Sequence, residues 1–278
     1  MKKIMILLLV LLVIASFFVK NSTNKVPTKT QVKTKEIKVL VNDKMINKII
    51  NSISTYPKTV DVMFNNVEQQ NGYKLSENLK STIKNYDAYI YNSKVSEPFA
   101  KDIISLAGNI KLNQVCVTRG GTEVKSLQAL PFYYLNGDNL KIAILNIKNA
   151  VQDLDPKNRD TYENNYNTYI KLINFYLAKG REVGKDLKNY IFIYPDERYK
   201  VFTDYYNLKS QSTEEYKESD KKGVFIYADD NELLNNQMFI KINNLKTMKI
   251  SLPCNDDVIN SLEKNLKYFR FLHGDIVL

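Results

Sequence analysis

The segment from Leu130 to Ile173 constrains the fold of this chain more than any other. A short aromatic run, Phe132-Tyr133-Tyr134, ends at the turn signal Asn136-Gly137. Leu140, Ala143, Ile144, Ile147, Val151 and Leu154 then recur at the spacing of an amphipathic helix. Asp155-Pro156 ends that helix and predicts the start of the next, with Asp as N-cap and Pro at the first helical position. The second pattern runs through Tyr162, Tyr166, Tyr169, Leu172 and Ile173 and continues to about Lys188, with Gly180 and Gly184 as soft spots. At ~1.5 Å per residue this helix is ~45 Å long, too long for one small lobe, so it is expected to span two.

The flanking segments alternate between two periodicities. Residues 36–41 and 59–64 carry the β-branched alternation of strands, and Met45, Ile46, Ile49, Ile50 and Ile53 between them fall at helical spacing. A helix over 76–85, a strand over 86–91, a helix from Phe99 and a strand over 114–117 follow. Beyond the long helix the rhythm repeats. Strands are expected at 190–194, 223–227 and 248–252, and helices at 199–206, 231–243 and 257–271, with a polar, solvated loop over 211–222. This pattern predicts an α/β fold of two βαβ lobes with mainly parallel sheets, joined by one long rigid helix into a clam shape. The expected divisions are 36–155 for the N-terminal lobe, 156–188 for the linking helix and 189–278 for the C-terminal lobe.

The N-terminus reads differently. Lys2 and Lys3 precede an uncharged apolar run from Ile4 to Val19, so residues 1–20 read as a signal peptide or an N-terminal membrane anchor. No cysteine follows it directly, which excludes a lipoprotein-type modification. Residues 21–35 read as a flexible tether. The formal net charge is +10, and the first 34 residues hold six lysines and no acid, which leaves +4 for the rest. That balance gives little support for nucleic-acid binding. Cys116 and Cys254 could pair in an exported protein or stand as two separate thiols. The single histidine, His273, reads as a helix-end surface residue.

Three stretches carry a resemblance. Residues 73–92, YKLSENLKSTIKNYDAYIYN, look like a ligand motif leading through a helix into a strand. Leu154-Asp155-Pro156 with Asn158, Tyr162-Glu163 and Asn165 looks like the start of the second long helix, and 196–208, DERYKVFTDYYNL, looks like a ligand-bearing helix. In this order the chain resembles the zinc/manganese solute-binding proteins of bacterial ABC importers (cluster A-I, TroA-like). The resemblance implies a clam-shaped TroA-like fold, export to the outer face of the cytoplasmic membrane or the periplasm, and a divalent metal (Zn or Mn) as cargo. It further implies an ABC permease as partner, with a monomeric protein held at the membrane through its N-terminal segment.

The same resemblance marks where this chain departs. The first two histidine positions fall on Asn71 and Phe132, and the third falls on Asp196, the only retained carboxylate. The fourth lies near Ala228 or Pro253, with Asp229 and Asp256 close by. A buried zinc or manganese site needs about four converging N or O donors, and a phenylalanine supplies none. The expected cleft residues are Asn71, Tyr73, Phe132, Tyr134, Asp196 and Asp229, with Tyr133 a further aromatic candidate. Asp196 has a second reading, as the cap of the helix that follows it. One histidine excludes most histidine-based triads, Gly120-Gly121 lacks a phosphate-binding spacing, and no catalytic residue or enzyme activity is expected. The expected function is an extracytoplasmic solute-binding component with a degenerate metal site. The alternative is a cell-surface interaction or accessory protein on the same fold.

Overall fold

The structure is a computed structural model, and it describes residues 36–55, 58–66, 68–106, 111–217 and 221–274. The expected signal or anchor and the expected tether lie outside the described residues. Among the described residues no helix is long and apolar enough to cross a membrane.

The first sheet contains β1 (Ile37–Asp43), β2 (Lys58–Phe64), β3 (Ala88–Tyr91) and β4 (Asn113–Cys116), all parallel, in the order β2-β1-β3-β4. Its intervening helices are α1 (Lys44–Ile53), α2 (Glu77–Thr82) and α3 (Phe99–Leu106). A short helix α4 (Leu130–Tyr133), helix α5 (Gly137–Leu154) and the long helix α6 (Arg159–Asp186) follow. The second sheet contains β5 (Tyr190–Tyr194), β6 (Ser210–Ser212), β7 (Lys222–Tyr227) and β8 (Lys246–Lys249), again parallel, in the order β6-β5-β7-β8. Helices α7 (Lys200–Tyr205), α8 (Asp230–Asn235), α9 (Gln237–Ile242) and α10 (Val258–His273) complete it. The two sheets therefore share one strand order. This is the α/β architecture expected, two parallel sheets with a long helix between them.

Residues alternate across each sheet because successive strand side chains point to opposite faces. On β3, Ala88 and Ile90 face the core that α1, α5 and α6 cover, while Tyr89 and Tyr91 face an outer cluster with Phe64 and Phe99. On β5, Tyr190, Phe192 and Tyr194 enter the second core, and Ile191 and Ile193 pack outward with Phe225. Both faces of each sheet are buried, as parallel sheets require.

Helix α6 spans 28 residues, about 42 Å. It carries Tyr162, Ile173 and Leu177 into the first core, and α10 packs along it. The helix runs unbroken through Gly180 and Gly184, which serve as notches. A Cβ on Gly180 would lie 2.6 Å from the Tyr206 ring, and one on Gly184 would lie 3.1 Å from the Tyr206 carbonyl oxygen. Tyr206 belongs to the second core, so one helix is shared by both.

Several local expectations are corrected. Asn136-Gly137 is no free turn: the Asn136 side chain caps α5, accepting from the amides of Asp138 and Asn139 at 2.9 and 3.1 Å. Asp155 does not cap α6; a 3-10 turn over Pro156–Asn158 intervenes, and Asp155 instead accepts from Asn158 and from the Tyr162 hydroxyl. The expected helix over 231–243 is two short helices. Strand β8 begins at Lys246, and the polar loop contains the edge strand β6. The two cysteines are not bonded to each other; Cys116 donates to the Asn92 carbonyl at 3.0 Å and Cys254 to Asn255 at 3.4 Å. His273 ends α10, with Nε2 3.9 Å from Asp186.

A buried polar knot ties the carboxyl ends of β1, β3 and β4 together. Asn92 Nδ2 donates to Asp43 Oδ2 and to Glu97 Oε1, both at 2.7 Å. Its Oδ1 accepts from the Tyr134 hydroxyl at 2.5 Å. Glu97 Oε2 accepts from the amides of Asn92 and Ser93 at 2.8 and 3.1 Å, and Thr118 donates to the Asn92 carbonyl at 2.8 Å. Two carboxyls share this dry site. Burial, opposed in part by these hydrogen bonds and reinforced by the nearby Asp43 charge, raises Glu97 to about 7. Burial raises Asp43 as well.

Two outcomes test this architecture. Gly180→Val drives two methyls into the Tyr206 ring and should lower stability by about 1–3 kcal/mol in urea denaturation. A carboxyl raised on folding is most stabilising when protonated, so Glu97 favours the fold below about pH 4.5 and loses that contribution as pH rises through about 7. Glu97→Gln removes the ionisation. Its stability relative to the native protein should therefore improve by roughly 2–3 kcal/mol between pH 4.5 and pH 8, read from denaturation midpoints across that range.

Candidate functional site

In open parallel sheets, ligands sit beyond the carboxyl ends of the strands. Here the segments that leave β5, β7 and β8 meet the segment around α4 and the turn at Asn71 to line a cleft of about 620 Å³. Asn71, Gln128 and Phe132 form one side, and Arg198, Asp229, Glu232 and Lys249 form the other.

Phe132 projects from α4 into the second core, although Leu130 of the same helix packs in the first. Its ring meets Tyr199 edge-on at 4.8 Å between centroids. The other notable neighbour of the ring is Arg198, whose Cζ lies 4.7 Å from the centroid, a cation–π distance.

Arg198 is the best-held charge in the cleft. Its Nε and Nη2 fork onto the two Asp196 oxygens at 2.8 and 2.6 Å. Nη2 also lies 3.6 Å from Glu232 Oε1, and Nη1 donates to the Gln128 carbonyl at 3.5 Å. Asp196 additionally caps the 3-10 turn that leads into α7, accepting from the Arg198 amide at 2.9 Å. Burial alone would raise the Asp196 carboxyl, but the Arg198 guanidinium and that amide override it and hold it below the usual carboxylate range.

Glu232 is anchored from behind. It forms a capping box with Asp229 at the start of α8, and its Oε2 accepts from the amides of Ala228 and Asp229 at 3.0 and 3.1 Å and from the Tyr199 hydroxyl. Burial, and then the Glu232 contact, pushes that phenol well above its ordinary range. Asp229 accepts from the Asn231 amide at 2.8 Å, and Lys249 pairs with Asp230 at 2.8 Å.

Of the residues expected in the cleft, Asn71, Phe132 and Asp229 line it, and Asp196 borders it through Arg198. Tyr73 and Tyr134 are placed elsewhere. Tyr73 packs edge-on against Phe64 and Phe99 at 4.8 and 5.4 Å in the outer cluster of the first sheet, where an apolar gap takes its ring. Tyr134 is 1% exposed, and the need to satisfy its hydroxyl in a dry interior ties it to Asn92. Tyr133 likewise belongs to the first core. Asp256 is paired with Lys264.

Arg198, Glu232, Gln128 and Lys249 were not anticipated. Asp229-x-x-Glu232 carries a capping-box signature that marks both residues as fixed. Arg198 gives no comparable local signal, because apart from Asp196 its partners, Gln128, Phe132 and Glu232, come from distant segments. Among the described residues no group of three or more His, Cys, Asp or Glu is placed to hold a metal ion.

Solved structures with the same fold include the zinc-bound ZnuA-like domain of AdcA from Streptococcus pneumoniae (TM-score 0.70, 14% identity, 86% of this chain and 99% of that one). The metal-dependent lipoprotein YcdH of Bacillus subtilis (0.69, 16%, 87% and 100%) and the laminin-binding protein Lbp of Streptococcus pyogenes (0.68, 16%, 86% and 100%) are similar too. No curated protein sequence matches the chain. The family model for ZnuA, the periplasmic component A of the zinc-uptake complex, matches residues 39–267. With that match over most of its length, and with two parallel sheets closing on one cleft, the chain belongs to the ZnuA family of zinc-uptake solute-binding components.

Proposed function

We propose that this protein is the extracytoplasmic solute-binding component of a metal-type ABC importer, with a cleft that no longer holds a transition metal in the manner of its family. It is an exported monomer, tethered at the outer face of the membrane by its N-terminal segment, that presents its cargo to an ABC permease. It is a binding protein with no catalytic role.

One observation carries the loss of the metal. Of the three positions expected to supply donors, Asn71 and Phe132 line the cleft and Asp196 lies behind Arg198 at its border; only Asp196 bears a charged donor, and Arg198 takes both of its oxygens. A transition-metal site depends on several unoccupied, convergent donors. The cleft instead offers amides, such as Asn71 and Gln128, beside paired charges, which suits a small polar solute held by hydrogen bonds.

A second reading, a cell-surface interaction module, is favoured by a different feature. Leu234 at 58%, Met238 at 78% and Ile242 at 74% exposure recur at intervals of four residues across α8 and α9, which would suit a surface that meets another protein.

Calorimetric titration of the purified protein with Zn²⁺ and Mn²⁺ should reveal no site tighter than about 10 μM. One-to-one binding below about 1 μM would overturn the lost-metal reading.

A further inference from the structure

We propose that Arg198 is the specificity-determining residue of the cleft, its guanidinium standing as a built-in cation that excludes divalent metals. The inference rests on the reading of the cleft given above and goes beyond it by naming the residue responsible.

The argument begins with what surrounds the guanidinium. It is met by a carboxylate from Asp196, a carboxylate from Glu232, the carbonyl oxygen of Gln128 and the face of the Phe132 ring. All four are electron-rich, and they converge on one point from both halves of the molecule. Gln128 lies between Leu127 and Leu130, which pack in the first core, whereas Asp196 and Glu232 follow strands of the second sheet. This is the environment of a cation site. The chain fills it with its own side chain.

The donors are also consumed. Both Asp196 oxygens accept from Arg198, and Glu232 Oε2 is committed to two amides and a phenol, so Oε1 alone remains and it faces Arg198. A divalent ion arriving between Asp196 and Glu232 meets a fixed positive charge, and of that pair's four carboxylate oxygens only Glu232 Oε1 is not already accepting a hydrogen bond. Guanidinium suits this task because its planar fork matches a carboxylate in two bonds and it is never deprotonated. The position two residues after Asp196 thus decides what the cleft accepts, since a small neutral side chain there would leave Asp196 and Glu232 facing the cavity.

The test compares the full-length protein with Arg198→Gln and Arg198→Lys, titrated with Mn²⁺ and Zn²⁺ by calorimetry, with circular dichroism and melting curves establishing that each variant is folded. The native protein and Arg198→Lys should bind no better than the detection limit. Arg198→Gln should bind Mn²⁺ at least about tenfold more tightly than that limit, the scale set by removing a unit charge from within ~5 Å of a divalent ion at a half-exposed site. A folded Arg198→Gln that stays as silent as the native protein overturns the role of Arg198 and leaves the lost-metal reading standing. Equal gains in Arg198→Gln and Arg198→Lys overturn it too, because charge would then not be the cause. Submicromolar binding by the native protein overturns both readings together.

Discussion

The structure depends on one helix serving two cores. Helix α6 lays Tyr162, Ile173 and Leu177 against the first sheet's core and, within the next two turns, offers the notches at Gly180 and Gly184 to Tyr206 of the second. Large apolar side chains at one end and missing side chains at the other follow from the same demand, that two separate bodies approach a single rod closely. The spacing between the sheets is thereby set by helix geometry rather than by loops, and α10, packed alongside α6 so that His273 at its end meets Asp186 at the end of α6, fixes it a second time.

On that frame the two halves resolve their polar groups differently. At the carboxyl ends of the first sheet the polar groups turn inward, and Asp43, Asn92, Glu97 and Tyr134 satisfy one another in a site that excludes water. At the carboxyl ends of the second sheet they turn outward to the cleft, where Asp196, Glu232 and Arg198 neutralise one another at partial exposure. The inward knot is expensive to ionise and confers rigidity, because any member left unpaired would bear the full cost of desolvation. The outward cluster is electrostatically cheap and chemically adaptable, which is where a family of one fold can vary its cargo.

Much of the fold was legible because the two periodicities, two and 3.6, are clean wherever a segment is buried. Strands such as β3 and β5 and the stripes of α1 and α5 carry their burial in their spelling. What escaped was polar and marginal: Ser210–Ser212 forms an edge strand with no apolar alternation to announce it, and β8 starts on Lys246 and Thr247 because one flank is solvated. The site divides the same way. Asn71, Phe132 and Asp229 were found through positions in a family pattern, which fix where a side chain stands in the fold. Tyr73 and Tyr134 were not, since an aromatic ring fills a core as readily as a cleft, and nineteen tyrosines offer many such choices. Arg198 could not be recognised from its neighbours in sequence, for its significance lies in Gln128, Phe132 and Glu232, far away along the chain.

Phe132 has a consequence for how anything enters. Its ring is 5% exposed and sits in the second core, while the helix that bears it begins in the first. Swinging the halves apart would draw a benzyl group out of hydrocarbon into water, at roughly 2–3 kcal/mol. Any motion that parts the two halves at this point therefore carries that cost.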